Sequence, residues 1–93
     1  MVKFKKIIKE QTETIYLEDA RTVKVIVEGS HAISVKATAD GKMFVSLAGF
    51  KEQDFKMYPS ISAEGSYVYD VEGYSNLQIG KDAPGTKVTV VGV

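Results

Sequence analysis

Apolar and polar residues alternate with a period of two through most of the chain after residue 20. In Thr22–Glu28, for example, Val23, Val25 and Val27 fall on one face. Similar alternation recurs at residues 31–38, 43–47, 66–71, 76–80 and 86–91. Successive side chains of a strand point to opposite faces, so this pattern is typical of strands buried on one side. It predicts an all-β fold, a two-sheet antiparallel β-sandwich with jelly-roll or Greek-key-like topology and about eight or nine strands.

An internal repeat divides the predicted sandwich into two similar halves. Val27-Glu28-Gly29 recurs 44 residues later as Val71-Glu72-Gly73, and past the next turn residues 43–47 align with residues 88–92. Either a duplication or a coincidence of short motifs explains this match. We assign residues 1–93 to one domain, with halves at 21–49 and 65–93 and a connection at 50–64. The apolar residues Phe55, Met57 and Ile61 suggest one short strand in this connection, which ends at Pro59 and is followed by a loop.

The first twenty residues lie outside the repeat and have a polarised charge. Residues 1–9 contain four lysines and no acid, whereas residues 10–20 contain four acids and no base. Residues 3–9 and 13–19 are therefore expected to pair as a hairpin, which would place opposite charges across from each other. The alternative is an arm that orders on a partner, with Lys3 and Lys9 docked on a neighbour's acidic segment.

Composition argues against several classes of function. The 93 residues include twelve Lys and Arg, twelve Asp and Glu, one histidine and no cysteine. This balance lacks the basic footprint of a nucleic-acid-binding protein. The absence of cysteine excludes disulfides, thiolate metal ligands and cysteine nucleophiles. No segment reaches the roughly 18 apolar residues of a membrane span, and no secretory signal is visible, so we expect cytoplasmic synthesis and no membrane partner.

Residues with catalytic or metal-binding chemistry do not form a convincing site. His31 follows Ser30 directly, and neighbouring residues of a strand point to opposite faces, which is unsuitable for a nucleophile and its base. Three acidic groups, Glu18-Asp19, Glu52 with Asp54, and Asp70 with Glu72 and Asn76, lack the spacing of a calcium loop. We interpret them as solvated surface charges. The sequence therefore predicts no enzyme activity, no catalytic residues, no metal and no cofactor.

Outward-facing apolar residues and exposed tyrosines are the candidates for recognition. Ile26, Val68 and Val91 lie opposite the core-facing residues of their strands, which indicates a partly covered outer sheet face. Tyr58, Tyr74 and Asn76 are predicted at exposed positions. Tyrosine is favoured at protein–protein contacts, and an alternative role for these three residues is carbohydrate binding, with the rings stacked on sugars.

The C-terminal third of the chain has the pattern of a known group of modules. Residues 65–79 read G-S-Y-V-Y-D-V-E-G-Y-S-N-L-Q-I, and residues 84–93 read P-G-T-K-V-T-V-V-G-V. This resembles the C-terminal β-modules of tailed-phage and prophage virion proteins, which run as a strand, V-x-G-Y, a strand and G-T-V-T-V-x-G. The resemblance implies a structural or decoration element of a head, tail or fibre, often a trimer or larger ring, without catalytic or binding residues to transfer.

These observations favour a non-enzymatic virion component that self-associates and contacts other virion proteins. The alternative is a carbohydrate-binding β-sandwich.

Overall fold

Ten strands form the architecture of the computed structural model, which describes residues 2–29, 32–82 and 85–93. His31, Ser30 and Pro84 lie outside the described residues. The strands are β1 (Phe4–Ile8), β2 (Thr12–Tyr16), β3 (Thr22–Glu28), β4 (Ile33–Thr38), β5 (Val45–Ser46), β6 (Gly49–Lys51), β7 (Lys56–Tyr58), β8 (Gly65–Asp70), β9 (Asn76–Lys81) and β10 (Lys87–Gly92). Within these residues, no helix has the length and hydropathy needed to cross a membrane.

The strands are arranged in two sheets in which all neighbours are antiparallel. One sheet has the order β1-β10-β3-β8-β6-β7, and the other has the order β2-β9-β4-β5. The predicted two-sheet antiparallel β-sandwich is therefore confirmed. The number of strands exceeds the expectation because residues 50–64 contribute to two short strands, β6 and β7, rather than to one.

The core contains the residues that the alternation placed on one face of each strand. Val23, Val25 and Val27 of β3 are buried, as are Tyr67 and Tyr69 of β8. In the facing sheet, Val35, Leu77 and Ile79 are buried in the same cluster. Full burial of a Val, Leu or Ile side chain contributes about 1.5–3 kcal/mol, so this shared core is the main stabilising element of the fold.

Each of the first two strands of one repeat-like half pairs with its counterpart in the other half. Strand β3 pairs with β8 and places Lys24 opposite Val68. Strand β4 pairs with β9 and places Val35 opposite Ile79. The members of both pairs are 44 residues apart (68 − 24 and 79 − 35), which is the offset of the sequence repeat. Each of the two ladders therefore pairs residues that are equivalent in the sequence repeat.

The third strands of the two halves are not equivalent, so the alignment of residues 43–47 with 88–92 is wrong. Strand β5 lies at the edge of the four-stranded sheet beside β4, whereas β10 lies inside the six-stranded sheet beside β3. Met43 and Val45 are 75% and 45% exposed. The alternation misleads here because β5 contains only two residues and lies at an open sheet edge, and its side chains are exposed.

The predicted N-terminal hairpin is also wrong. Strand β1 pairs with β10 in one sheet, and β2 pairs with β9 in the other, so the segment between them is a corner that connects the sheets. This arrangement buries Ile8 and Ile15 in the common core. Strand β1 pairs over five residues with β10, and β2 pairs over five residues with β9. If β1 and β2 formed a hairpin with each other instead, these edges of β10 and β9 would remain unpaired.

Charges pair around this corner rather than across a hairpin. The Glu13 carboxylate accepts hydrogen bonds from the amides of Lys9 (2.7 Å) and Glu10 (2.8 Å), and it lies 3.5 Å from the Lys6 ammonium. The hydrogen bond from the Glu10 amide, supported by the Lys9 amide and the Lys6 charge, lowers the pKa of Glu13. Glu13 therefore stabilises the turn as an acceptor for backbone amides.

A buried lysine closes the same corner from inside. The Lys81 ammonium donates to the carbonyl oxygens of Ile8 (3.0 Å) and Thr86 (3.1 Å), and the Lys81 amide donates to the Gln11 carbonyl (2.9 Å). Lysine is rarely buried unless its ammonium has partners. The Ile8 carbonyl ends β1 and the Thr86 carbonyl directly precedes β10, so Lys81 ties the end of β9 to both of these segments.

Candidate interaction surface

The outer face of the six-stranded sheet has a row of side chains that crosses all six strands. The strand registers place six residues in one line, which we call the main row: Lys5, Val91, Lys24, Val68, Phe50 and Met57. A second row, beside the first, contains Ile7, Thr89, Ile26 and Ser66. Lys24, Val68 and Val91 alternate with core residues of β3, β8 and β10, and cross-strand partners share a face, so both rows lie on the outer face; Thr89 within the second row is only 8% exposed. We call the apolar members, Ile7, Ile26, Phe50, Met57, Val68 and Val91, the apolar band.

The three apolar residues predicted to face outward lie together within this band. Val91 and Val68 are the two cross-strand neighbours of Lys24. Ile26 follows Lys24 by two residues on the same face of β3, so it is a diagonal neighbour of both valines, at a typical separation of about 7–8 Å. All three side chains are half-buried. They form part of one continuous surface rather than isolated exposed groups.

The outer face of the four-stranded sheet is polar. Its central row contains Thr14, Gln78, Lys36 and Ser46, and the neighbouring rows add Tyr16, Asn76 and Thr38 on one side and Thr12, Gly80 and Ser34 on the other. Antiparallel sheets commonly have one solvated polar face, and this sheet follows that pattern. The contiguous apolar outer surface therefore lies on the six-stranded sheet.

An ion pair neutralises the charge at the centre of the apolar band. The Lys24 ammonium lies 2.9 Å from the Glu52 carboxylate, and both side chains are about two-fifths exposed. The aliphatic stem of a lysine packs readily against apolar neighbours while its charged end reaches a partner. Lys24 therefore interrupts the row of apolar side chains without leaving an unpaired charge in it.

The β6–β7 hairpin provides the aromatic end of this surface. Phe55 is 78% exposed with φ 58°, and its ring centroid lies 6.1 Å from that of Phe50. The Phe55 amide donates to the Lys51 carbonyl at 2.9 Å, and the Asp54 carboxylate accepts from the Lys56 amide at 3.1 Å. The predicted short strand ending at Pro59 corresponds to β7 (Lys56–Tyr58), and both Phe55 and Met57 are exposed. Ile61 is buried and bridges to Ile33.

The lysines proposed for partner contact flank the first strand. Lys3 precedes β1 and Lys9 follows it, and both are exposed. The Lys3 amide donates to the Gly92 carbonyl at 2.7 Å, which extends the β1–β10 ladder by one residue. Docking of either ammonium on an acidic segment of a neighbour remains a prediction.

The tyrosines considered for ligand binding lie in different environments. Tyr58 packs edge-on against Tyr67 at 6.2 Å, and its hydroxyl donates to the Asp54 carboxylate. This hydrogen bond raises the pKa of Tyr58 and lowers that of Asp54. Tyr74 lines a recess at the β2–β3 and β8–β9 turns, and Tyr58 is not among the residues that line it. Asn76 lies on the outer face of the four-stranded sheet, opposite Tyr16. The predicted set of Tyr58, Tyr74 and Asn76 therefore does not form one site.

Metal-ligating side chains do not cluster in the part of the chain that the structure describes: no group of three or more His, Asp or Glu side chains is placed to hold an ion. The acidic residues considered above instead make local contacts. Glu52 pairs with Lys24, and Glu72 lies 3.7 Å from Arg21.

Comparison with known structures places this two-sheet arrangement in a fold seen before. The crystal structure of the SPBc2 prophage-derived protein YomS matches with a TM-score of 0.76 and 16% identity, over 96% of this chain and 92% of that one. The crystal structure of the PBSX exported protein XepA matches with a TM-score of 0.81 and 14% identity, over 96% of this chain. The chain spans 37% of the length of XepA. Neither a protein-family model nor a curated protein sequence matches the chain. The fold is thus one that occurs in phage-derived proteins.

Proposed function

We propose that this chain is a non-enzymatic assembly module of a phage-derived virion and that it self-associates through the apolar band. The observation that carries this proposal is the contrast between the two outer faces. One presents Ile, Val, Phe and Met side chains across all six strands, interrupted by Lys5 and Lys24, and the other presents mainly Thr, Ser, Asn and Gln together with Tyr16 and Lys36. A contiguous apolar patch on a small domain typically marks an interface. The structural likeness to a prophage-derived protein supports the setting in a virion.

A second copy of the chain fits this face because the main row is self-complementary. In a pair related by a twofold axis parallel to the strands, the row of one copy meets the reversed row of the other. Lys5 then lies over Met57, Val91 over Phe50, and Lys24 over Val68. Each lysine stem meets an apolar side chain, and no lysine faces another lysine. Sheets that pack face to face in this way lie about 10 Å apart.

Sedimentation equilibrium over the micromolar concentration range tests this proposal. We expect the weight-average mass to rise above that of a monomer with increasing concentration, because burial of apolar surface contributes about 25 cal/mol per Å². High salt should not dissociate the oligomer, since the contact is apolar rather than ionic. A monomer mass throughout the range would overturn the proposal.

A further inference from the structure

A recess of about 440 Å³ lies where two tight turns meet at one end of the sandwich. One turn connects β2 to β3, and the other connects β8 to β9. The recess is lined by residues that include Tyr16, Asp19, Arg21, Glu72, Tyr74 and Ser75. Its volume falls in the range of about 300–1,000 Å³ that is usual for small-ligand sites. None of its lining residues belongs to the apolar band.

Backbone hydrogen bonds hold the two turns together and fix the shape of the recess. The Leu17 amide donates to the Ser75 carbonyl at 2.9 Å, and the Val71 amide donates to the Arg21 carbonyl at 2.9 Å. Within the turns, the Ala20 amide donates to the Leu17 carbonyl at 2.9 Å. A site whose backbone is already ordered loses less entropy when a ligand binds.

The β2–β3 turn has two consecutive residues in a strained conformation. Glu18 has φ 52° and Asp19 has φ 61°, a left-handed region that favours glycine or asparagine. Tight turns with positive φ at both central residues commonly have glycine, asparagine or aspartate there. Strained residues of this sort cluster at functional sites. Asp19 lines the recess and Glu18 does not, so the Asp19 carboxylate is the group whose position the strained turn determines.

We propose that this recess is a carbohydrate-binding site. Tyr16, which is 63% exposed, offers an aromatic ring on which a sugar ring stacks, and the half-buried Tyr74, which packs against the core, also lines the recess. The Asp19 and Glu72 carboxylates accept hydrogen bonds from sugar hydroxyls, and Arg21 donates to ring and hydroxyl oxygens. Asn76, the cross-strand partner of Tyr16, extends this polar surface onto the four-stranded sheet. The site goes beyond the assembly role and does not depend on it.

Glycine substitutions in the strained turn provide a matched test. Glu18→Gly and Asp19→Gly each remove one negative charge and one left-handed non-glycine residue. Both are expected to raise the Tm, by about 4 °C each, because the strain is relieved. Only Asp19→Gly and Tyr16→Ala are expected to weaken sugar binding, by roughly tenfold each, because they remove a hydrogen-bond acceptor and a stacking ring.

Binding is measured on an array of oligosaccharides of neutral hexoses and N-acetylhexosamines, with affinities of the hits determined by titration calorimetry. The proposal requires that the wild type and Glu18→Gly bind alike while Asp19→Gly and Tyr16→Ala lose affinity. A blank array for the wild type overturns it. Undiminished binding by Asp19→Gly and Tyr16→Ala overturns it as well, because the sugar then binds elsewhere. Sedimentation of the same variants keeps this outcome separate from the test of self-association.

Discussion

Gly49→Ala is expected to destabilise the fold by about 3 kcal/mol, because the interior has no space for the added methyl group. A Cβ at this position would lie 2.5 Å from Cζ of Tyr69 and 2.9 Å from its Cε2. Tyr69 is 1% exposed, so its ring cannot swing into solvent. The clash must move either β6 or the ring inside a close-packed core. Thermal unfolding should show a decrease in Tm of about 10 °C or more.

Gly80→Ala is the matched control for this substitution. Gly80 also lies in a strand, but a Cβ there would approach only the Ser34 hydroxyl at 2.7 Å and the Thr12 hydroxyl at 3.9 Å. The Ser34 side chain can rotate away, and alanine is favoured over glycine in a strand by roughly 0.5–1 kcal/mol. We therefore expect Gly80→Ala to be neutral or mildly stabilising. Equal Tm values for the two variants would show that Tyr69 does not pack against β6 as described.

Val68→Asp is expected to weaken self-association by roughly 100-fold, because it places a carboxylate at the centre of the apolar band. Val68 lies between Lys24 and Phe50 in the main row. The side chain is half-buried in the single chain, and Lys24 is directly opposite, so the monomer accommodates the new charge next to an opposite one. In the assembled pair the same carboxylate would be buried beneath Lys24 of the second copy, whose ammonium is already paired with Glu52, so the cost of desolvating it is not offset. Sedimentation equilibrium should report a monomer at concentrations where the wild type is associated.

Gln78→Asp on the four-stranded sheet is the control for Val68→Asp, because it introduces the same negative charge outside the apolar band. Gln78 is half-buried on β9, and its cross-strand neighbours are Thr14 and Lys36, so the new carboxylate again lies opposite a lysine. It differs from Val68→Asp in lying on the polar outer face. We expect it to leave association unchanged within about twofold. Equal loss of association in both variants would mean that the contact does not use the apolar band.

Local alternation predicted the central strands well and failed at the margins. Strand β3 has the predicted bounds of Thr22–Glu28 because three buried valines alternate with polar groups along its length. The N-terminal strands were misassigned because partner choice depends on which sheet edges are open, and that is a property of the whole fold. Opposite charges suggested a hairpin, but the Glu13 carboxylate is occupied largely by backbone amides.

The candidate surface was predictable only in part. Strand parity placed Ile26, Val68 and Val91 outward, but their continuity with Phe50 and Met57 depends on the order of β8, β6 and β7. In the recess, Tyr16 was missed although the signal was present, since it lies between Ile15 and Leu17, which are both buried. The left-handed turn at Glu18 and Asp19 has no clear sequence signature, because glutamate rarely adopts that conformation and aspartate tolerates it without requiring it.

Thiol accessibility tests self-association through the apolar band most directly, because the chain contains no cysteine. Val68→Cys and Gln78→Cys each place one thiol on a central strand, on opposite outer faces of the sandwich. The rate of labelling by a maleimide is measured as a function of protein concentration. We predict that the thiol at position 68 becomes protected as the concentration rises and reacts freely after dilution, while the thiol at position 78 reacts at a constant rate. Equal and concentration-independent labelling at both positions would contradict assembly through this face.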